Sequence, residues 1–391
     1  MTAAPTTPPP TEAPAAPGGL TVDGMVDATP DSRDRTVDAV RALAIVVVVL
    51  WHWTFSITHV DGQGALTMPN PIDTLPGAWL ATWVLQVMPA FFVVGGFATM
   101  ASFEALERRG RGTWSAFVRG RLARLGRPIG VFVAAWAVGD TLVRLVVDVP
   151  SVLSWGLVVF VPLWFLGTYT AVLLVAPLTL RAHRRAPWAT LGLLVAGMAG
   201  ADALRFTTGV DAWGLVTTAL VWVFAHQLGY LWRDGTLVAW GRGAHAALVA
   251  AGVAALALLT TVGPYPSSMV AVRGEAISNM FPTTACIAAL AVLQTGLVLL
   301  LRPSLERLLA RRGPWRVVVG VNAVAMTVFA WHMTALVAVI GAALALGLTL
   351  PSEATPTWWA LRPVWVVLPG LVLAVLVRTF ARHELPTGAR R

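Results

Sequence analysis

The sequence predicts an all-α polytopic membrane protein of about ten transmembrane helices, with both termini in the cytoplasm. Three observations carry this. The chain has 391 residues, 57% of them hydrophobic and only 12% charged, against roughly 25% charged in ordinary soluble domains. Its mean hydropathy is +0.72, and apolar runs of about 20 residues, the length that crosses a bilayer, recur along the chain. Finally, the basic residues alternate between the connections in the manner that orients membrane helices.

Residues 1–36 are rich in Pro, Ala, Thr and Gly. Such a composition buries too little apolar surface to order itself, so a disordered cytoplasmic tail is expected. It lacks the basic region and early apolar stretch of a signal peptide. The membrane domain is expected over 37–382, followed by a short basic tail over 383–391. The expected spans are 38–58, 78–103, 126–147, 157–180, 187–204, 213–232, 244–262, 280–301, 320–348 and 362–381. The stretch 316–350 exceeds one perpendicular span, so a tilted helix or a short interfacial piece before Asn322 is expected.

Arginine placement tests this order. All 28 basic residues are Arg. Arg33, Arg35 and Arg41 precede or open the first span. The second and third spans are joined by Arg108, Arg109, Arg111, Arg119, Arg121, Arg124 and Arg127. Arg181, Arg184, Arg185, then Arg233, Arg242, then Arg302, Arg307, Arg311, Arg312 and Arg316 fill the later connections on that side. Arg378, Arg382, Arg390 and Arg391 close the chain. Only Arg144, Arg205, Arg273 and Arg362 fall on the other side. The positive-inside rule then makes the first side cytoplasmic. Membrane orientation accounts for the formal charge of +9 without a nucleic-acid partner. The single Cys286 excludes an internal disulfide framework and reads as a small buried hydrophobe.

Ionisable residues inside spans point to function. Ten residues, nearly all aliphatic, separate Arg41 from His52. At the α-helical rise this places His52 roughly 16 Å deeper than Arg41, near mid-bilayer if Arg41 marks the surface. Histidine gains or loses a proton near neutral pH. Asp38 shares a helix face with Arg41. His332, ten residues after Asn322, is expected at the depth of His52, where two imidazoles could share a pocket. A metal is not expected: further ligands are missing, and neither HExxH nor CxxC occurs. Arg121, Arg124 and Arg127, three apart, are expected along one helical stripe, suited to bidentate phosphate binding. Topology alone also explains them. Asp140–Arg144 and Asp202–Arg205 are expected as structural pairs. Tyr169, His226, Gln227, Asn279 and Gln294 read as interhelical hydrogen-bonding residues, and Gly95-Gly96 as a close helix contact.

In combination these residues resemble the acyltransferase-3 family of integral-membrane acyltransferases. The resemblance runs from about Arg35 to Arg382. It rests on Arg41-x10-His52 preceded by Asp38, on Met88-Pro-Ala-Phe-Phe-Val-Val-Gly-Gly-Phe97, on Arg121-Leu-Ala-Arg124, on Leu163-Trp-Phe-Leu166, and on Trp331-His332. It implies transfer of an acyl group, by default acetyl, from cytoplasmic acyl-CoA (acetyl-CoA) to a hydroxyl of a carbohydrate or glycoconjugate of the cell envelope. The enzyme would sit in the plasma membrane. In that light Arg41 and His52 correspond to essential residues, with His52 the general base, and Arg121 and Arg124 contact CoA phosphates. His332 and Asn322 are candidates to stabilise charge on the thioester oxygen. Direct transfer and an acyl-His intermediate both stay open. Some relatives carry a further helix and a hydrolase-like domain; the sequence shows neither, so the chemistry is expected inside the membrane. The competing reading is a transporter or exporter of a small molecule or lipid-linked glycan, without acyl transfer.

Overall fold

The computed structural model describes residues 21–62, 64–110, 112–146 and 158–384. Most of the expected N-terminal tail, residues 1–20, and the end of the basic tail, 385–391, lie outside them. Ten helices among the described residues are long and apolar enough to cross a membrane. In chain order the helices are α1 (Val22–Asp27), α2 (Arg35–Thr54), α3 (Trp79–Leu85), α4 (Met88–Arg108), α5 (Trp114–Val146), α6 (Leu163–Arg185) and α7 (Pro187–Thr208). There follow α8 (Ala212–Arg233), α9 (Arg242–Thr261), α10 (Ala285–Leu309), α11 (Arg312–Ala323), α12 (Ala325–Ala345), α13 (Pro356–Ala360) and α14 (Arg362–Phe380). Among the described residues, strand pairing is one antiparallel pair, His59–Val60 with Leu66–Thr67.

Two elements depart from the sequence expectation, and a third decides between its alternatives. The second span is broken between α3 and α4, where Pro89 has no N–H to continue the ladder. Gln294 repairs the break from α10: its Nε2 donates to the Gln86 carbonyl at 2.8 Å and its Oε1 accepts from Ala90 N at 3.1 Å. The third span starts at Trp114 rather than 126, so Arg121 and Arg124, expected on a helix, stand well inside it. The long apolar run divides at Val324 into α11 and α12, which leaves Asn322 inside the last turn of α11.

The centre of the bundle is the crossing of α4 and α8. Phe92 packs on Trp222 with centroids 4.3 Å apart, and both are fully buried. The backbones touch here. A Cβ on Gly96 would run into the His226 carbonyl, and one on Gly229 would lie 2.6 Å from the Phe97 nitrogen. Small residues permit such approach between membrane helices. Gly96→Ala is therefore expected to cost about 1–3 kcal/mol or more, as overpacking does. The check is thermal unfolding in detergent: a lowered midpoint for Gly96→Ala beside an unchanged one for Gly341→Ala, where a Cβ meets nothing within 4 Å.

Asp140 and Arg144 pair at 2.9 Å. Asp202 and Arg205 do not pair. Asp202 is saturated by Thr217 Oγ1 (2.6 Å), the Tyr265 hydroxyl (2.8 Å) and Ala285 N (3.1 Å), so Arg205 turns to Asp211 at 3.3 Å.

Residues 21–34 form an ordered strap at the arginine-rich end. Thr21 caps α1. Arg312 binds Asp27, Arg316 binds Asp23 at 3.2 Å, and Trp315 Nε1 donates to Thr29 Oγ1 at 3.1 Å. The hydrogen bond from Arg312 holds the Asp27 carboxyl below the usual carboxylate range. Two acidic residues on α1 facing two arginines on α11 give this segment a partner that its tail-like composition does not reveal.

Candidate active site

A cavity of about 640 Å³ opens at the arginine-rich end between α2, α4, α5, α6 and α12. Its outer walls carry Arg33, Arg41, Arg121, Arg124 and Arg233, with Asp34, Asp38 and Glu384. Its inner walls are apolar: Ile45, Phe91, Val94, Phe165, Leu166 and Phe329, with Tyr169. Residues 32–34 of the strap also line an adjoining crevice of about 670 Å³, so the strap stands between the two spaces.

The outer charges divide by what they already hold. Asp38, only 4% exposed, takes Arg33 in a two-pronged contact at 2.5 and 2.9 Å, and Arg41 more loosely at 3.2 Å. The hydrogen bond to Asp38 pushes the Arg33 guanidinium up from its ordinary range. Arg233 is bound to Glu104 at 2.7 Å. Arg121 donates from one nitrogen to the Ala98 carbonyl and to Ser102 Oγ, at 2.6 and 2.7 Å, and meets no carboxylate among the described residues. Arg124 is exposed and makes no ion pair among the described residues. Arg127 is exposed and forms no part of the cavity wall. The stripe expectation fails for it because each step of three residues falls about 60° short of a full turn, so six residues turn the side chain about 120° from Arg121.

Below the cavity two imidazoles meet. His332 Nε2 lies 3.2 Å from His52 Nδ1, and His332 Nδ1 lies 2.7 Å from the Phe329 carbonyl oxygen. The carbonyl can only accept, so in neutral His332 the proton sits on Nδ1 and Nε2 offers a lone pair. That lone pair takes the Nδ1–H of His52. In neutral His52 the second nitrogen, Nε2, then carries a lone pair of its own. The chain of hydrogen bonds thus selects the tautomer in which His52 Nε2 is a base. Helix α12 is held in place for this. Trp53 Nε1 donates to the His332 carbonyl at 3.1 Å, and Trp136 Nε1 donates to Thr334 Oγ1 at 3.0 Å.

The family model described as an acyltransferase domain, acyltransferase-3, matches residues 34–380. The chain belongs to the acyltransferase-3 family. It is a membrane acyltransferase, its ten helices spanned almost entirely by the family match. No curated protein and no solved structure matches it.

The acyltransferase brings together Arg41, Asp38, Asn322, Arg121 and Arg124 on one cavity, and His52 and His332 below it. Two residues lack what the sequence reading asked of them. Asn322 spends its amide hydrogens on the Asp38 and Val318 carbonyls, at 2.8 and 3.0 Å. His332 spends its only N–H on Phe329. Neither has a donor left for a developing oxyanion. Among the described residues, no group of three or more His, Cys, Asp or Glu is placed to hold a metal.

Three wall residues were given no role in the site from sequence. Tyr169 presents a hydroxyl without a hydrogen bond among the described residues, on a ring wedged between Phe91, Phe92 and Phe165. Glu384 caps α12, accepting from Met326 N (2.8 Å), Thr327 N (2.9 Å) and Thr327 Oγ1 (2.7 Å). Burial pushes its carboxyl up, and those hydrogen bonds pull the other way. Arg33 comes from the strap, just before the family match begins. No spacing rule marks Glu384 or Arg33. Phe329 and Tyr169 sit within motif-bearing helices and are found by asking which residues share a face with them.

Proposed function

We propose that this enzyme moves an acyl group, acetyl in the simplest case, from acyl-CoA to a hydroxyl of a carbohydrate or glycoconjugate, with His52 as general base. The observation that carries the proposal is the hydrogen-bonded run Phe329 carbonyl–His332–His52, which leaves a basic nitrogen beneath a cavity rimmed by arginines. The acceptor hydroxyl gives its proton to His52 Nε2 while its oxygen attacks the acyl carbon. The carbon–sulfur bond then breaks, and the departing CoA thiolate takes up the proton. A thioester is already activated, so deprotonating the acceptor is the main demand, and a positioned base supplies about 10²–10⁴-fold. Charge growing on the thioester oxygen needs a donor. Tyr169 is the group on the inner wall whose hydroxyl makes no hydrogen bond among the described residues.

CoA is a polyanion. Arg41 is only partly neutralised, and Arg121 and Arg124 meet no carboxylate, so these three suit its phosphates, to which guanidinium binds in bidentate fashion. The positive-inside rule supports placing this rim at the cytoplasmic face of the plasma membrane, with both termini on that side. The acyl group would then be delivered toward the opposite face.

Acyl-CoA binding to the purified protein tests the donor. Arg124→Ala is expected to raise the Kd for acetyl-CoA at least about tenfold at low salt, the worth of one charge-assisted hydrogen bond. Binding of S-acetylpantetheine, which has no phosphoanhydride, should stay unchanged. Equal loss for both ligands would overturn the phosphate assignment. A wild type that binds neither ligand, but moves substrate across vesicles, would overturn acyl transfer in favour of transport.

A further inference from the structure

We propose that the ring of Phe329 is the end wall of the acyl-binding region and sets the length of acyl chain the enzyme accepts. This rests on the acyl-CoA reading above.

Each of the two helices that carry the histidines lines the cavity with the face that bears its histidine, and α12 follows the cavity deeper than α2 does. On α2 the wall residues are Asp34, Val37, Asp38, Arg41 and Ile45. Their spacing of three and four is one helical face, and His52, seven residues beyond Ile45, continues it. On α12 the wall residues are Ala325, Met326 and Phe329. His332 follows at i+3 on that same face. The cavity therefore stops one turn short of His332 and two turns short of His52. His332 is fully buried.

Phe329 fills that turn. Aromatic side chains in helices point back toward the helix N-terminus, and here the N-terminus of α12 lies at the arginine-rich mouth, where Glu384 caps it. The ring thus leans into the cavity ahead of His332, with centroids 6.0 Å apart. On its other side it meets Phe165 at 5.5 Å in an edge contact. Phe165 is braced by Phe91 (4.9 Å), Phe92 (5.5 Å) and Tyr169 (5.7 Å). Phe329 has Phe165 and His332 as its ring partners. An acyl chain descending from the arginine rim meets the ring of Phe329, backed by Phe165, before its thioester reaches the histidines. A short acyl group clears the ring; each further methylene must displace it.

The test is the affinity of purified, detergent-solubilised protein for CoA, acetyl-CoA, butyryl-CoA and hexanoyl-CoA. Wild type is expected to favour acetyl-CoA over the longer thioesters. Phe329→Ala should shift the Kd ratio of butyryl-CoA to acetyl-CoA by about tenfold or more in favour of butyryl, the worth of two methylenes moved into an apolar pocket. CoA itself should bind as before. Phe329→Leu, which keeps an apolar side chain in the core and guards against misfolding, should give a smaller shift in the same direction. If both variants bind CoA normally and keep the wild-type ratio, the assignment of Phe329 is overturned while the donor reading stands. If wild type binds no acyl-CoA at all, the donor reading falls and takes this one with it.

Discussion

Replacing His52 by alanine is expected to lower acyl transfer by about 10²–10⁴-fold, the contribution of a positioned general base. The measurement is transfer of labelled acetyl from acetyl-CoA to envelope glycoconjugates in membranes containing wild type or variant. Acetyl-CoA binding is expected to persist, because His52 is not part of the cavity wall and the arginine rim is untouched. A fall in turnover with unchanged Kd separates a chemical role from a structural one. His52 is half-buried at the last turn of α2, and the tie between α2 and α12 through Trp53 does not pass through its ring, so the variant should fold. Full activity in His52→Ala would sink the base assignment.

The bundle was legible because its signals are long and repeated. Apolar runs of a bilayer's length and an alternating arginine pattern reinforce each other over ten segments, and a miscount would have scrambled the alternation. One rise per residue sets His52 along α2 from Arg41, and the same ruler on a second helix makes His332 a candidate neighbour, which it is at 3.2 Å. What escaped depends on contacts across the chain. The break at Gln86 needs Gln294, some 208 residues away. The strap is held by α11, and its Asp23 and Asp27 have meaning only opposite Arg312 and Arg316. Arg127 was grouped with Arg121 and Arg124 by regular spacing, yet a spacing of three drifts round the helix, and only the first two reach the cavity.

The site also shows why residue type alone misassigns roles. Asn322 and His332 are the polar groups one would choose to stabilise an oxyanion, and both are used up on backbone carbonyls. Holding a partner still can require every donor a side chain has. Asn322 ties the end of α11 to the Asp38 carbonyl and so supports the helix that presents Arg41. Tyr169, by contrast, looked like one more interhelical hydrogen bond and is the group with a hydroxyl free.

His332 is expected to act on the reaction through His52, and its variants should reveal that. With His332 intact, the Nδ1–H of His52 has an acceptor, and the lone pair is on Nε2. Replace His332 by phenylalanine and that acceptor disappears, which leaves the Val48 carbonyl as the backbone partner of the His52 ring. His332 then no longer fixes the tautomer, and every His52 with its proton on Nε2 has its lone pair on the wrong side of the ring. A misplaced tautomer is costly: in the serine protease triad the comparable change lowers kcat by about 10⁴. Turnover of His332→Phe is therefore expected to fall by about 10²–10⁴-fold, with the acetyl-CoA Kd unchanged. Glutamine offers a carbonyl oxygen that can accept the same Nδ1–H, so His332→Gln should recover at least about tenfold over His332→Phe. Alanine would confuse the result, since it also opens a void in the core. Rescue by glutamine is what a purely structural His332 would not give. Equal turnover in the two variants would show that the bond between the imidazoles does not set the state of the base.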